Sequence, residues 1–137
     1  MVIADSGFWV ALFNRSDPLH QKALDALALL EEGLITTWPV LTEATHLLLR
    51  AQGRFLALKF IEEYLSGPHS IYELSDNVTD QIPKLMRKYS ELPMDLADAS
   101  LVLLAEHLGH GRILSTDRRD FRTYRWKERK PFENLML

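Results

Sequence analysis

The 137-residue sequence has no cysteine, which removes disulfides, thiolate metal sites and cysteine nucleophiles at once. A reducing, cytoplasmic setting is the expectation that follows. No apolar run approaches the roughly 20 residues that span a bilayer, and the opening MVIADSGF lacks a basic stretch ahead of an apolar core. Neither export nor membrane insertion is expected. The glycines fall into neither standard phosphate-loop pattern, the G-x-S-x-G elbow is missing, and His20, His46, His69, His107 and His110 show no H-E-x-x-H spacing. Internal repeats, low-complexity tracts and linkers are also absent. Nucleotide-loop, serine-hydrolase and zinc-protease chemistry therefore lose their usual signatures.

What is present suits one core. At this length, with 47% hydrophobic residues, a single domain over residues 1–137 is expected. The formal net charge of -3 hides an uneven distribution. Residues 112–130 hold Arg112, Arg118, Arg119, Arg122, Arg125, Lys127, Arg129 and Lys130 against Asp117, Asp120 and Glu128, a local +5 that leaves -8 for the rest. A basic end on an acidic body is compatible with a polyanionic ligand, and equally with a solvated surface balancing the acidic part.

Short apolar strands alternate with helical patterns. Met1–Ala4 reads as a buried strand, with Gly7 in the turn that follows. Phe8, Trp9, Leu12 and Phe13 recur at helical spacing, where core packing is the first use of the aromatics. Asp17-Pro18 starts a second helix running to a Gly33 cap. Residues 34–37 form a strand, Pro39 opens a helix that stops near Gly53, and another runs from Arg54 to Leu65. A strand at 70–74, a helix from Ser75 or Asp76 to Tyr89, an apolar helix from Asp95 and a strand over 112–116 follow, with 124–126 as a last edge strand. This alternation predicts an α/β fold with a mostly parallel sheet of four or five short strands and helices on both faces.

In such sheets ligands bind beyond the carboxyl ends of the strands. That rule selects Asp5 and Asp117 at two strand exits, Glu43 early in the helix after residues 34–37, and Asp98 in the first turn of the helix from Asp95. Each has an ordinary use as well. Asp98 complements a helix dipole, Asp117 suits a turn, Glu43 suits an exposed face and Asp95 reads first as a cap. Asp5 is costliest to explain away, since an acid closing an apolar strand must be compensated. Like charges about 4 Å apart repel by roughly 4 kcal/mol at an effective dielectric of 20, so converging carboxylates call for protons or cations. All-oxygen ligation favours Mg²⁺ or Mn²⁺, and such a site suits phosphodiester hydrolysis.

With these residues in place the chain resembles the PIN-domain family, and within it the VapC-type toxins of toxin–antitoxin pairs. Val2-Ile3-Ala4-Asp5-Ser6 is similar to the family's opening strand and first acid, and Thr42-Glu43 to the second motif. Leu96-Ala97-Asp98-Ala99 resembles the third, and Ile113-Leu114-Ser115-Thr116-Asp117 with Asp120-Phe121 the fourth. The resemblance implies a three-layer α/β/α unit and an endoribonuclease dependent on Mg²⁺ or Mn²⁺. Asp5 and Asp98 would be the principal metal ligands, Glu43 and Asp117 would complete the acidic site, and Ser6 and Thr116 would support it through their hydroxyls. Asp95 and Asp120 are additional acids, and Arg118, Arg119 and Arg122 would hold RNA phosphates. It further implies an antitoxin whose peptide covers the groove, and a homodimer. The alternatives are a non-catalytic RNA- or protein-binding module of the same fold and a housekeeping RNA-processing nuclease. A phosphatase with Asp5 as nucleophile is disfavoured, because Gly7 stands where a second aspartate is usual.

Overall fold

A computed structural model describes residues 1–136. Along the chain run β1 (Val2–Ala4), α1 (Ser6–Phe13), α2 (His20–Ala28), β2 (Leu34–Thr37), α3 (Trp38–Gln52) and α4 (Arg54–Ser66). Next come β3 (Ser70–Tyr72), α5 (Asp76–Thr79), α6 (Gln81–Lys88), α7 (Leu96–Leu108) and β4 (Arg112–Leu114). The end of the chain adds α8 (Asp120–Thr123), β5 (Arg125–Trp126), β6 (Lys130–Pro131) and β7 (Glu133–Asn134).

Five strands form one sheet in the order β3-β2-β1-β4-β7, every neighbouring pair parallel, as the alternation of apolar strands and helices predicts. Ile3 lies opposite both Ile35 of β2 and Ile113 of β4, so β1 is central. Val2, Ile3, Ala4, Ile113 and Leu114 are wholly buried, which explains why β1 and the latter part of β4 are apolar: helices flank a parallel sheet and leave the middle of its inner strands no wet face. Phe8 and Trp9 pack into the same core, Trp9 touching Phe60, Tyr64 and His69. The aromatics of α1 are thus core residues.

Four local expectations give way. Asp17 accepts the Leu19 N–H at 2.8 Å, closing a side-chain turn before α2 begins at His20. Gly33 is not a helix cap. α2 ends at Ala28, and a Cβ at Gly33 would lie 2.8 Å from the Pro68 carbonyl, so the glycine permits close passage of two backbones. The helix expected up to Tyr89 is split into α5 and α6, because Pro83 has no N–H for the carbonyl of Thr79, where α5 stops. Finally, β5 pairs antiparallel with β6 in a separate hairpin, and the edge of the main sheet is β7.

Because β1, β2 and β4 are parallel, their carboxyl ends emerge on one edge. The turn into α1, the start of α3 and the segment after β4 all leave from there. No helix among the described residues is long and apolar enough to cross a membrane.

Candidate active site

Asp5 follows the last residue of β1 and caps α1. One carboxylate oxygen accepts the Ser6 N–H at 2.7 Å, and the other accepts the Ser115 hydroxyl at 2.9 Å. The residue is 5% exposed, so its charge is poorly hydrated. Burial, opposed by these hydrogen bonds and reinforced by the nearby Asp117 and Asp95 charges, pushes its pKa up to about 6.

Glu43 comes from the second turn of α3, whose start is fixed by the Thr37 hydroxyl accepting the Val40 N–H and by Pro39 in the first turn. Its carboxylate accepts the Ser6 hydroxyl, tying α3 to the β1–α1 turn. Burial and the adjoining Asp95 carboxyl raise Glu43 to about 7. Asp98 stands in the first turn of α7, where it and Asp95 form a reciprocal capping box: the Asp98 N–H donates to Asp95 at 2.8 Å and the Asp95 N–H to Asp98 at 3.4 Å. Tyr124 donates its hydroxyl to the same Asp98 carboxylate at 3.1 Å. Burial, then the charges of Asp95 and Asp5, lift Asp98 to about 8. Asp95 is therefore both a cap and a source of the field that perturbs Glu43, Asp98 and Asp5.

Asp117 lies just beyond β4. Its N–H donates to the Ser115 hydroxyl at 3.0 Å, and its carboxylate accepts the Asp120 N–H at 3.0 Å, starting α8. Asp120 is buried beside it and its pKa is raised, first by burial and then by Asp117. The hydroxyl linking Asp5 to this segment is that of Ser115. Thr116 instead packs so closely on the β1–α1 turn that a Cβ on Gly7 would lie 2.0 Å from its Oγ1. The strand stops at Leu114, two residues short of its expected end, and this turns Ser115 inward.

Sequence reading missed the residue that holds Ser115. Asn134 on β7 donates its amide to the Ser115 carbonyl at 2.8 Å and accepts the Ser115 N–H at 3.2 Å. Nothing in the local pattern around residue 134 marks it, because its use depends on which strand lies beside β4.

The basic segment divides. Arg112 is at the amino end of β4, paired with Glu32, which also binds the terminal amine at 2.8 Å. Arg125 closes α8 by donating to the carbonyls of Arg122, Thr123 and Tyr124. Arg118, Arg119 and Arg122 remain exposed beside Asp117 and Asp120, with Arg119 pairing Asp120 at 3.2 Å. Arg118 and Arg122 also border a cavity of about 170 Å³ with Phe121, Phe132 and Asn134.

Asp5, Glu43, Asp95, Asp98 and Asp117 thus form one electrostatic group supplied by four parts of the chain. The donors are all oxygen, which fits a hard divalent cation. Among the described residues, no three carboxylate or imidazole groups already close on a common point as a metal cage.

A family model for the PIN domain matches residues 2–127, a span that includes every one of these acids. The chain belongs to the PIN-domain family. Relatives of this PIN domain include Ribonuclease VapC26 of Mycobacterium tuberculosis, 24% identical over 124 residues that make up 90% of this chain and 92% of that protein. The crystal structure of VapC20 from the same organism, described as a sarcin-ricin loop cleaving toxin, shares the fold. It superimposes with a TM-score of 0.84 at 24% identity, covering 96% of this chain and all of that one. The three-layer PIN architecture expected from the sequence is borne out, while β6, β7 and with them Asn134 lie outside the span matched by the family model.

Proposed function

We propose that this PIN domain is a divalent-metal-dependent endoribonuclease, the toxin of a toxin–antitoxin pair, with Asp5, Glu43, Asp98 and Asp117 as its acidic site. One observation carries the reading. Asp5, Glu43 and Asp98 sit at the end of β1, on α3 and on α7 respectively, yet all are pushed to between about 6 and about 8 by burial and by neighbouring carboxylates. Such a group is under strain when ionised at neutral pH unless a cation or protons compensate it. The names of VapC26 and VapC20 support RNA as the substrate.

Asp5 and Asp98 would hold Mg²⁺ or Mn²⁺, with Glu43 and Asp117 completing the set. When bound, the ion supplies an acidified water and offsets charge on the phosphate and leaving oxygen. Glu43, held near Ser6 and Asp95 at the edge of the set, would orient the attacking water and accept its proton. Ser6 and Ser115 fix the orientation of the carboxylates, and Arg118, Arg119 and Arg122 would receive flanking phosphates. An antitoxin and a second copy of the chain are the proposed protein partners, in the cytoplasm. Exposed Phe55, Leu58 and Leu65 along α4 offer apolar surface for one of them.

Purified protein is expected to cut RNA with Mg²⁺ or Mn²⁺ and to stop when the metal is chelated. Asp5→Asn and Asp98→Asn are each expected to abolish cutting, and growth arrest on expression, without loss of fold. Undiminished cleavage in both variants would overturn the assignment. The open arrangement of the acids favours a second reading, a non-catalytic RNA-binding module. Salt-sensitive RNA binding with no cleavage at any Mg²⁺ or Mn²⁺ concentration would select it.

A further inference from the structure

Two different surfaces border the acidic group. On the Asp117 side the exposed side chains are arginines. On the side of Glu43 and Asp95, and lined in part by both, lies an open groove of about 550 Å³. Its apolar walls come from Trp38, Pro39, Leu96 and Ala97, and Thr42 and His46 add polar groups. Among the described residues, no lysine or arginine lines it. Trp38 begins α3, directly after β2, so the helix that presents Glu43 also presents the indole. Trp38 is 47% exposed, as is Leu96, whereas Trp9 and Trp126 are 2% and 6% exposed. The indole N–H faces Glu73 Oε1 at 3.5 Å, which biases the orientation of the ring without covering it.

An apolar groove that opens into a carboxylate site is poorly suited to a phosphate and well suited to a base. A strand whose phosphate rests at the carboxylates has its next base within one nucleotide's reach of whatever borders Glu43. Bases stack on aromatic rings largely regardless of sequence, and an unpaired strand has bases free to do so. The basic and apolar flanks then divide the work: arginines take backbone charge on one side, and the indole takes a base on the other.

We infer that Trp38 is a stacking platform for an unpaired RNA base adjoining the phosphate that is cut, with Leu96 facing it across the groove. The inference rests on the nuclease reading above and adds the substrate contact that would favour single-stranded or looped RNA.

The test uses an RNA oligonucleotide cut by the wild-type protein, compared with versions made abasic on one or the other side of the cut. Trp38→Ala is expected to lower kcat/KM on intact RNA about tenfold, mainly through KM. Trp38→Phe keeps an aromatic face and is expected to retain most activity. One abasic position should bring the wild type down to the Trp38→Ala level, and Trp38→Ala should lose nothing further on that RNA. Equal losses on intact and abasic RNA would assign Trp38 a structural role and overturn the inference. An unchanged kcat/KM would also overturn it, and lost capture of a protein partner in that variant would give the groove to that partner. If the wild type binds RNA without cutting it, the nuclease reading alone falls. The comparison is then made by affinity, against an oligonucleotide abasic at every position, with the same pattern expected. Absence of RNA binding would overturn both.

Discussion

Asp5 is a residue whose position is unfavourable for its own charge. Its pKa of about 6, with about 7 for Glu43 and about 8 for Asp98, lies above the ordinary values of 3.8, 4.5 and 3.8. The folded state therefore binds these protons more tightly than the unfolded chain does. Their contribution to stability is complete below about pH 4 and is lost as pH rises through about 6 to 8. Thermal unfolding of the chelator-treated protein should accordingly show Tm falling across that window. Added Mg²⁺ should raise Tm little at pH 5 and more at pH 8, and an equal rise at both would count against the acids as its site. Asp5→Asn removes the buried charge and is expected to stabilise the metal-free protein at pH 8 by on the order of 2 kcal/mol while abolishing cleavage. Ser115→Ala keeps every acid and loses the hydroxyl between Asp5 and Asp117. A fall in activity or metal affinity of roughly 10- to 100-fold is expected.

The elements differ in how far local sequence reveals them. β1 and the Ile113–Leu114 end of β4 were legible because strand positions buried on both faces must be apolar, and α7 because Asp95 and Asp98 box its start while Gly109, with φ of 78°, ends it. Asp5, Glu43, Asp98 and Asp117 could be ordered along one edge for the same reason, since parallel strands fix which ends are shared. Ser115 could not be distinguished from Thr116, because β4 ends at Leu114 and beyond it the strand's alternation no longer decides which hydroxyl turns toward Asp5; contacts with Asp5, Asp117 and Asn134 do. The role of Asn134 requires knowing that β7 lies beside β4, a pairing that local periodicity does not encode. Gly7 joins two such elements. Gly7→Ala would drive a methyl into the Thr116 side chain and is expected to lower stability by roughly 1–3 kcal/mol. Combining it with Thr116→Ala should recover part of that stability, measured by denaturant unfolding of the single and double variants.

Across the whole molecule, opposite edges of the sheet use arginine differently. At the amino ends, Arg112 and the terminal amine hold Glu32 down to about 2, a surface clamp far from the acids. At the carboxyl ends, Arg118, Arg119 and Arg122 stay available. Replacing Arg118 or Arg122 by Ala should weaken RNA binding across sequences and reduce the salt dependence. The slope of log K against log[salt] should become shallower by about 0.7 for each RNA phosphate that is no longer neutralised. Arg112→Ala should leave that slope unchanged and lower only Tm.

The Asn134 bridge to Ser115 also has a consequence in time. A chain made from its amino terminus carries Asp5, Glu43, Asp98 and Asp117 before the strand that steadies the Asp5–Ser115–Asp117 link has been synthesised. A nascent or proteolytically trimmed chain that stops at Phe132 would possess all the acids and lack their brace. On the nuclease reading proposed above, a chain made in this order gains full activity only after β7 has docked beside β4.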